Sequence, residues 1–256
     1  MTEVDGPDPA GGGWLTLDVL HPEPTASVEA VDAYAWPRVP WLRANMVASV
    51  DGAATLDGRV GTLTGPADQH LLLLLRAMAD VLVVGAGTLR AEGYGALTVD
   101  PALAPLRRRE GMRPAPRLVV PTRSLDLDPS GPAFTEALEP PLVVTCAGCP
   151  ADRLTSLREV AEVVVLGERD VDLRAMVEHL HALGHHRILS EGGPSLLAEL
   201  FAADLVDELC LAVSPMVVGG PAGRVTSGTS VVPPHRLRLH QVAERDAFLF
   251  LRYTRA

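Results

Sequence analysis

The sequence contains no lysine. All 22 basic residues in its 256 are arginine, against 32 Asp and Glu, for a net charge of -10. That absence removes whole chemistries. There is no amine for a Schiff base, which excludes ordinary pyridoxal-phosphate enzymes and lysine aldolases. There is no lysine for a Walker A loop or a kinase nucleotide strand. Any phosphate the chain binds must be held by arginine, backbone N–H groups and hydroxyls. The chain is also poor in basic patches. With a pI near 5.2, it is not expected to bind nucleic acid. Its one basic cluster, Arg107-Arg108-Arg109 with Arg113, lies among Pro101, Pro105, Pro114 and Pro116 and reads as a solvated loop. No apolar run approaches the ~20 residues of a membrane span. No basic segment leads into an apolar one at the start, so no signal peptide is expected. Three cysteines, an odd number, point to reduced thiols and a cytoplasmic location. There are no internal repeats or heptads. The absence of a Gly-x-Ser-x-Gly elbow disfavours a serine hydrolase.

What is present is a strongly apolar chain, 47% hydrophobic. It is long enough for one large domain or two small ones, with a core that needs no staples. Residues 1–39 are rich in Gly and Pro and read as an extended arm, with 40–256 as the folded domain. Strands are predicted at Leu42–Ser49, Val81–Val84, Leu118–Val120, Leu142–Thr145, Val163–Leu166, Arg187–Ser190, Glu208–Val213 and Met216–Val218. Helices are predicted at Pro66–Ala79, Arg153–Val160, Leu173–Leu183 and Ser195–Ala203, the third closed by Gly184. Residues 235–252 read as two antiparallel strands. Alternating strands and helices followed by strands alone imply an α/β fold: a mostly parallel central sheet flanked by helices, with antiparallel C-terminal strands at its edge. Ligands bind such sheets at the carboxyl ends of the strands.

Two junctions there carry the chemistry. Gly85-Ala86-Gly87-Thr88 follows a buried strand; glycines let backbone N–H groups approach a diphosphate, although the pattern falls short of a dinucleotide fingerprint and suits a plain turn equally. Glu191-Gly192-Gly193-Pro194-Ser195-Leu196 repeats the strand–glycine–helix arrangement, with Pro194 suited to a first helical turn. A carboxylate at a strand end, as Glu191 is, either caps locally or meets a ligand. Cys146-Ala147-Gly148-Cys149 lacks the setting of a redox or zinc site. The histidines around 179–186 suit a helix C-terminus better than a metal.

Six motifs occur in order: Ala48-Ser49-Val50-Asp51-Gly52, Leu75-Arg76-Ala77, Val83 to Leu89, Glu191 to Leu196, Leu205 to Leu209, and Pro215 to Gly220. Over roughly residues 40–254 this resembles the reductase domain of bacterial riboflavin biosynthesis, the C-terminal part of the bifunctional deaminase–reductase, here without the deaminase. The resemblance implies a dihydrofolate-reductase-like fold, NADPH as cofactor, a homodimer through the C-terminal strands, and reduction of 5-amino-6-(5-phosphoribosylamino)uracil to the ribityl form. It implies that Gly193, Pro194, Ser195 and Leu196 hold the diphosphate, with Gly192 beside them in the cofactor site. Ser49, Gly85, Gly87, Thr88, Glu92 and Thr122 join the cofactor site, and Arg76 and Glu191 the substrate side. Arg123 is assigned to the 2′-phosphate because no lysine exists to take it, with Arg90 the other candidate. Asp51 and Glu191, or water held by them, are the candidate proton donors. The family runs Asp-Asp-Pro-x-Leu-Thr where this chain has Glu92-Gly93-Tyr94-Gly95-Ala96-Leu97-Thr98. That departure falls on a substrate-facing segment and keeps a second reading open, a dihydrofolate or pteridine reductase using Asp68 as its helix acid. A third reading is a non-catalytic NADPH-binding module.

Overall fold

A computed structural model describes residues 15–56 and 58–256. In chain order the elements are β1 (Thr16–His21), β2 (Thr25–Glu29), α1 (Ala30–Ala33), β3 (Trp41–Ser49), α2 (Pro66–Met78), β4 (Val81–Val83), α3 (Ala86–Glu92), α4 (Ala104–Arg109), β5 (Arg117–Pro121) and α5 (Pro132–Thr135). There follow β6 (Leu142–Thr145), α6 (Ala151–Leu157), β7 (Glu162–Val165), α7 (Leu173–Ala182), β8 (Arg187–Ser190), α8 (Pro194–Ala202), β9 (Glu208–Ser214), β10 (Leu237–Arg245) and β11 (Phe248–Arg255).

One sheet of eleven strands runs in the order β2-β1-β10-β11-β9-β3-β8-β4-β5-β6-β7. The seven strands from β9 to β7 are mutually parallel, and β11, β10, β1 and β2 continue antiparallel. The fold class is that expected from the alternating pattern. Central strands β4, β5 and β6 are buried at every position, because helices cover both faces. Helix α2 turns Leu71, Leu74, Leu75 and Met78 onto one face, and α7 and α8 bury Met176, Leu180, Leu197 and Leu200 against the other. Truncating Leu75, fully buried, to alanine should cost about 2–5 kcal/mol. Among the described residues no helix is long and apolar enough to cross a membrane.

Four expectations are corrected. Residues 15–36 are not a loose arm. Leu17 and Ala30 are fully buried, and β1 pairs with β10, so the C-terminal hairpin lies inside the sheet rather than at its edge. The ladder partner is more than 200 residues away in sequence, which no local pattern reveals. Residues 1–14 lie outside the described residues. Met216–Val218 is not a strand, because its backbone serves other groups: Val218 N donates to Asp51 Oδ1 and Met216 O accepts from Val50 N. The basic cluster is only partly a solvated loop. Arg107-Arg108-Arg109 closes α4, with Arg108 and Arg109 exposed, Arg113 lies exposed in the loop beyond it, and Arg107 is 1% exposed. Its Nη1 donates to the carbonyls of Ala77 (2.9 Å) and Ala79 (2.7 Å), capping α2, and its Nε to Arg113 O (2.6 Å). Burial pulls its guanidinium down to about 10, with Asp80 acting against that and Arg187 adding to it.

A buried ionic cluster anchors the N-terminal segment. Glu208 accepts from Trp41 Nε1, Arg43 Nε and Arg252 Nε, while Arg43 Nη1 donates to Tyr34 O and Arg252 Nη1 to Ala33 O. Burial alone would raise the Glu208 carboxyl; the two guanidiniums override it and hold it at about 2.

Candidate functional site

The carboxyl ends of β4 and β8 meet in register. Val83 is level with Ser190, Glu191 N donates to Val83 O, and Gly85 N donates to Gly192 O at 2.6 Å. The two glycine turns are thus tied to each other. Gly192 has φ of 75° and its peptide to Gly193 is cis. A Cβ on Gly193 would stand 2.3 Å from Thr88 Oγ1, so the second turn presses against α3 by virtue of lacking a side chain. These turns open one side of a cavity of about 790 Å³, within the range of cofactor sites.

Gly85, Gly87, Thr88, Glu92, Gly193, Pro194, Ser195 and Leu196 all line this cavity, as do Arg76 and Glu191. The structure therefore brings together ten of the residues singled out from sequence. Arg76 comes from α2 and Glu191 from the end of β8. Arg76 Nε and Nη2 donate to the two Glu191 oxygens at 2.6 and 2.7 Å, a bidentate pair. Burial works against the Arg76 charge, yet the Glu191 carboxylate outweighs it and keeps the guanidinium more firmly protonated than in water.

A third member is absent from the sequence reading. Tyr94 Oη donates to Glu191 Oε2 at 2.6 Å, with the Arg76 guanidinium 5.4 Å from its ring centre. Burial first, then the Glu191 charge, push the Tyr94 hydroxyl far above its ordinary pKa, so it stays a neutral donor. Tyr94 stands in the segment that departs from the family pattern, and that departure was its only signal. Asp68, third residue of α2, also lines the cavity and is 6% exposed. Thr64 Oγ1 donates to its Oδ2 at 2.5 Å. Burial pushes its carboxyl up, with Thr64 pulling the other way.

Other sequence candidates lie elsewhere. Asp51 does not line the cavity. It accepts from Ser49 Oγ and from the N–H groups of Val218 and Gly219, and these donors, Ser49 first, hold it at about 2. It clamps a loop through these bonds. Ser49 is buried and caps the same turn, accepting from Ala53 N. Gly192 sits behind the cavity against Met46. Thr122 is buried at the end of β5 and accepts from Leu125 N. Arg123, exposed, pairs with Asp170, and Arg90 with Asp126. Neither lines the cavity, whose described lining has one cation, Arg76, against Asp68, Glu92 and Glu191. The expected local concentration of arginine is not found there; backbone N–H groups and hydroxyls take its place.

The RibD C-terminal domain model matches residues 40–248. A 2,5-diamino-6-ribosylamino-4(3H)-pyrimidinone 5′-phosphate reductase from Archaeoglobus fulgidus is 31% identical over 182 residues, 71% of this chain and 83% of that protein. One of the same description from Methanothermobacter thermautotrophicus is 33% identical over 181 residues, covering 68% and 80%. The crystal structure of a pyrimidine reductase-like protein from Corynebacterium diphtheriae superposes with a TM-score of 0.80 at 30% identity, over 89% of this chain and 98% of that one. With a family model matching residues 40–248 and a relative 31% identical over 71% of the chain, the chain belongs to the RibD C-terminal domain family of riboflavin-pathway reductases.

Proposed function

We propose that the chain is an NADPH-dependent reductase of a phosphoribosylaminopyrimidine in the riboflavin pathway, either 5-amino-6-(5-phosphoribosylamino)uracil or its 2-amino counterpart. The observation that carries this reading is the meeting of two strand–glycine–helix junctions and the Arg76–Glu191 pair in one cavity. The residues present fit a dinucleotide. The first-turn N–H groups of α8 at Ser195 and Leu196, with the Thr88 and Ser195 hydroxyls, suit a diphosphate that has no lysine to meet it. Thr122 and Arg123 are assigned the 2′-phosphate end, where Arg123 exchanges Asp170 for the ligand.

When bound, the nicotinamide supplies a hydride. That hydride would be taken up at C1 of the ribosylamino group as the C1–ring oxygen bond opens and that oxygen gains one proton, which would give the ribitylamino product. The chain's part is positioning. Glu191 accepts three hydrogen bonds and acts as a fixed carboxylate. The two Nη1 protons of Arg76, which the Glu191 pair leaves over, are directed to the substrate phosphate. With Asp51 turned to its loop, the proton comes through water beside Glu191.

A homodimer is part of the proposal. Leu211, Val213, Leu249, Leu251 and Tyr253 lie on one face of β9 and β11 and are half-buried or exposed, an apolar face that a second copy would cover. Cytoplasmic residence accords with three free cysteines. A second reading, dihydrofolate reduction, is favoured by the lone, already paired cation and by the altered 93–97 loop. Incubating the protein and NADPH with each pyrimidine and with dihydrofolate decides. Oxidation with a pyrimidine supports the first reading, with dihydrofolate alone the second. Tight NADPH binding without turnover indicates a non-catalytic module.

A further inference from the structure

Among the sequence motifs, Ala48 to Gly52 and Pro215 to Gly220 contribute no residue to the cavity. The structure joins them. Val50 N donates to Met216 O, and Asp51 accepts from the N–H groups of Val218 and Gly219. These bonds hold the start of the loop between β9 and β10, residues 215–236. Further on, the loop is tied to two residues that do line the cavity. Ala54 N donates to Gly223 O at 2.8 Å, and Ser227 N donates to Pro194 O at 3.1 Å. Pro194 opens α8, the turn assigned to the diphosphate. The loop is therefore a strap between two points on the cavity wall.

Arg224 stands between these two ties. Three residues span at most about 11 Å, which keeps its backbone within that distance of Ser227. Its side chain is exposed, with no ion pair, hydrogen bond or ring contact among the described residues. The other arginines considered for phosphates are already engaged: Arg76 with Glu191, Arg90 with Asp126 and Arg123 with Asp170.

We infer that Arg224 is a further cofactor-binding residue, the cation that meets the dinucleotide diphosphate from the strap while the first-turn N–H groups of α8 meet it from the cavity. This rests on the dinucleotide reading of the proposed function and adds a residue to it. A diphosphate in a chain of net charge -10 needs a cation, and without lysine the cation is an arginine, whose planar fork takes two phosphate oxygens at once. Arg224 suits that task because backbone bonds place it. Its guanidinium has no acid to release before it binds, whereas Arg123 would have to leave Asp170. The Asp51 clamp acquires a purpose as well: it holds the base of the strap that carries Arg224.

The test measures binding of NADPH and of NADH to the full chain by calorimetry, without substrate. Arg224→Gln is expected to weaken both by a similar factor, about 10–100-fold, the size of a hydrogen bond to a charged group, because the diphosphate is common to both. The gap between wild type and variant is expected to narrow as salt screens the charge. Arg224→Lys keeps the charge without the fork and is expected to recover part of the loss. Arg38→Gln removes an exposed arginine before β3, at the amino ends of the strands, and controls for net charge; it is expected to change neither affinity. Arg224 touches nothing else in the fold, so the urea midpoint of Arg224→Gln is expected to match the wild type. Unchanged affinity for both dinucleotides overturns the inference. A loss confined to NADPH also overturns it, since that places Arg224 on the 2′-phosphate. So does a loss seen only for a pyrimidine phosphate. A wild-type chain that binds neither dinucleotide overturns the cofactor reading and the inference together. Dinucleotide binding that Arg224→Gln weakens, with turnover of neither pyrimidine, upholds the inference and overturns the proposed reaction alone.

Discussion

Replacing Tyr94 by phenylalanine removes one atom from the site and isolates one interaction. The hydroxyl donates to Glu191 Oε2 at 2.6 Å in a position where 6% of the Glu191 side chain is exposed. A hydrogen bond to a buried charged group is worth about 1.5–3 kcal/mol. Glu191 keeps both bonds from Arg76, so no acceptor is orphaned and the lower end applies. About 1.5 kcal/mol corresponds to roughly a tenfold effect. If Tyr94 holds Glu191 in its substrate-facing geometry, kcat/KM for the pyrimidine falls about tenfold while KM for NADPH stays unchanged. Steady-state kinetics on Tyr94→Phe, on Glu191→Gln and on the double variant form a cycle, and the two losses are expected to be non-additive. Unchanged kcat/KM with only a lower unfolding midpoint would mean that the tyrosine props up the loop and nothing more. Fully additive losses would refute the coupling.

Three other outcomes are expected. Arg123→Ala should narrow the preference for NADPH over NADH by about tenfold, read as the ratio of kcat/KM values; an unchanged ratio removes Arg123 from the 2′-phosphate site. Arg107→Met leaves the carbonyls of Ala77, Ala79 and Arg113 without their donor. It should lower unfolding free energy by about 2–4 kcal/mol in a urea titration, part of the loss being offset because an unpaired charge is no longer buried. Glu208 has its carboxyl lowered from 4.5 to about 2 in the folded chain. It stabilises the fold fully above pH 4.5 and loses that contribution, about 3 kcal/mol, as pH falls from 4.5 toward 2. Urea unfolding at these pH values should show stability dropping across that window, and a flat profile would contradict the ionic cluster.

The parallel strands were legible because burial on both faces writes them as unbroken apolar runs, as at Val81–Val83 and Leu142–Thr145. The glycine turns were legible because close packing favours them: a Cβ on Gly85 would meet the backbone of Gly192 and Gly193, and one on Gly193 would displace the Thr88 hydroxyl. Strands β1 and β2 escaped because β1 depends on a ladder to β10, while Gly and Pro punctuation dominates locally. Arg107 escaped because a helix-capping arginine has the same composition around it as a solvated one. Tyr94 lies in irregular backbone, where no periodicity marks a side chain as inward. The place of Asp51 after β3 is clear from sequence, whereas its three hydrogen-bond donors are not, since they come partly from residues 218 and 219.

Turnover with NADPH deuterated at the transferring position, followed by mass spectrometry of the product, tests directly the proposed hydride transfer to the sugar carbon of a phosphoribosylaminopyrimidine. One deuterium retained at C1 of a ribitylamino product is the predicted result. A protein that binds NADPH yet yields no labelled ribitylamino product from either pyrimidine contradicts it.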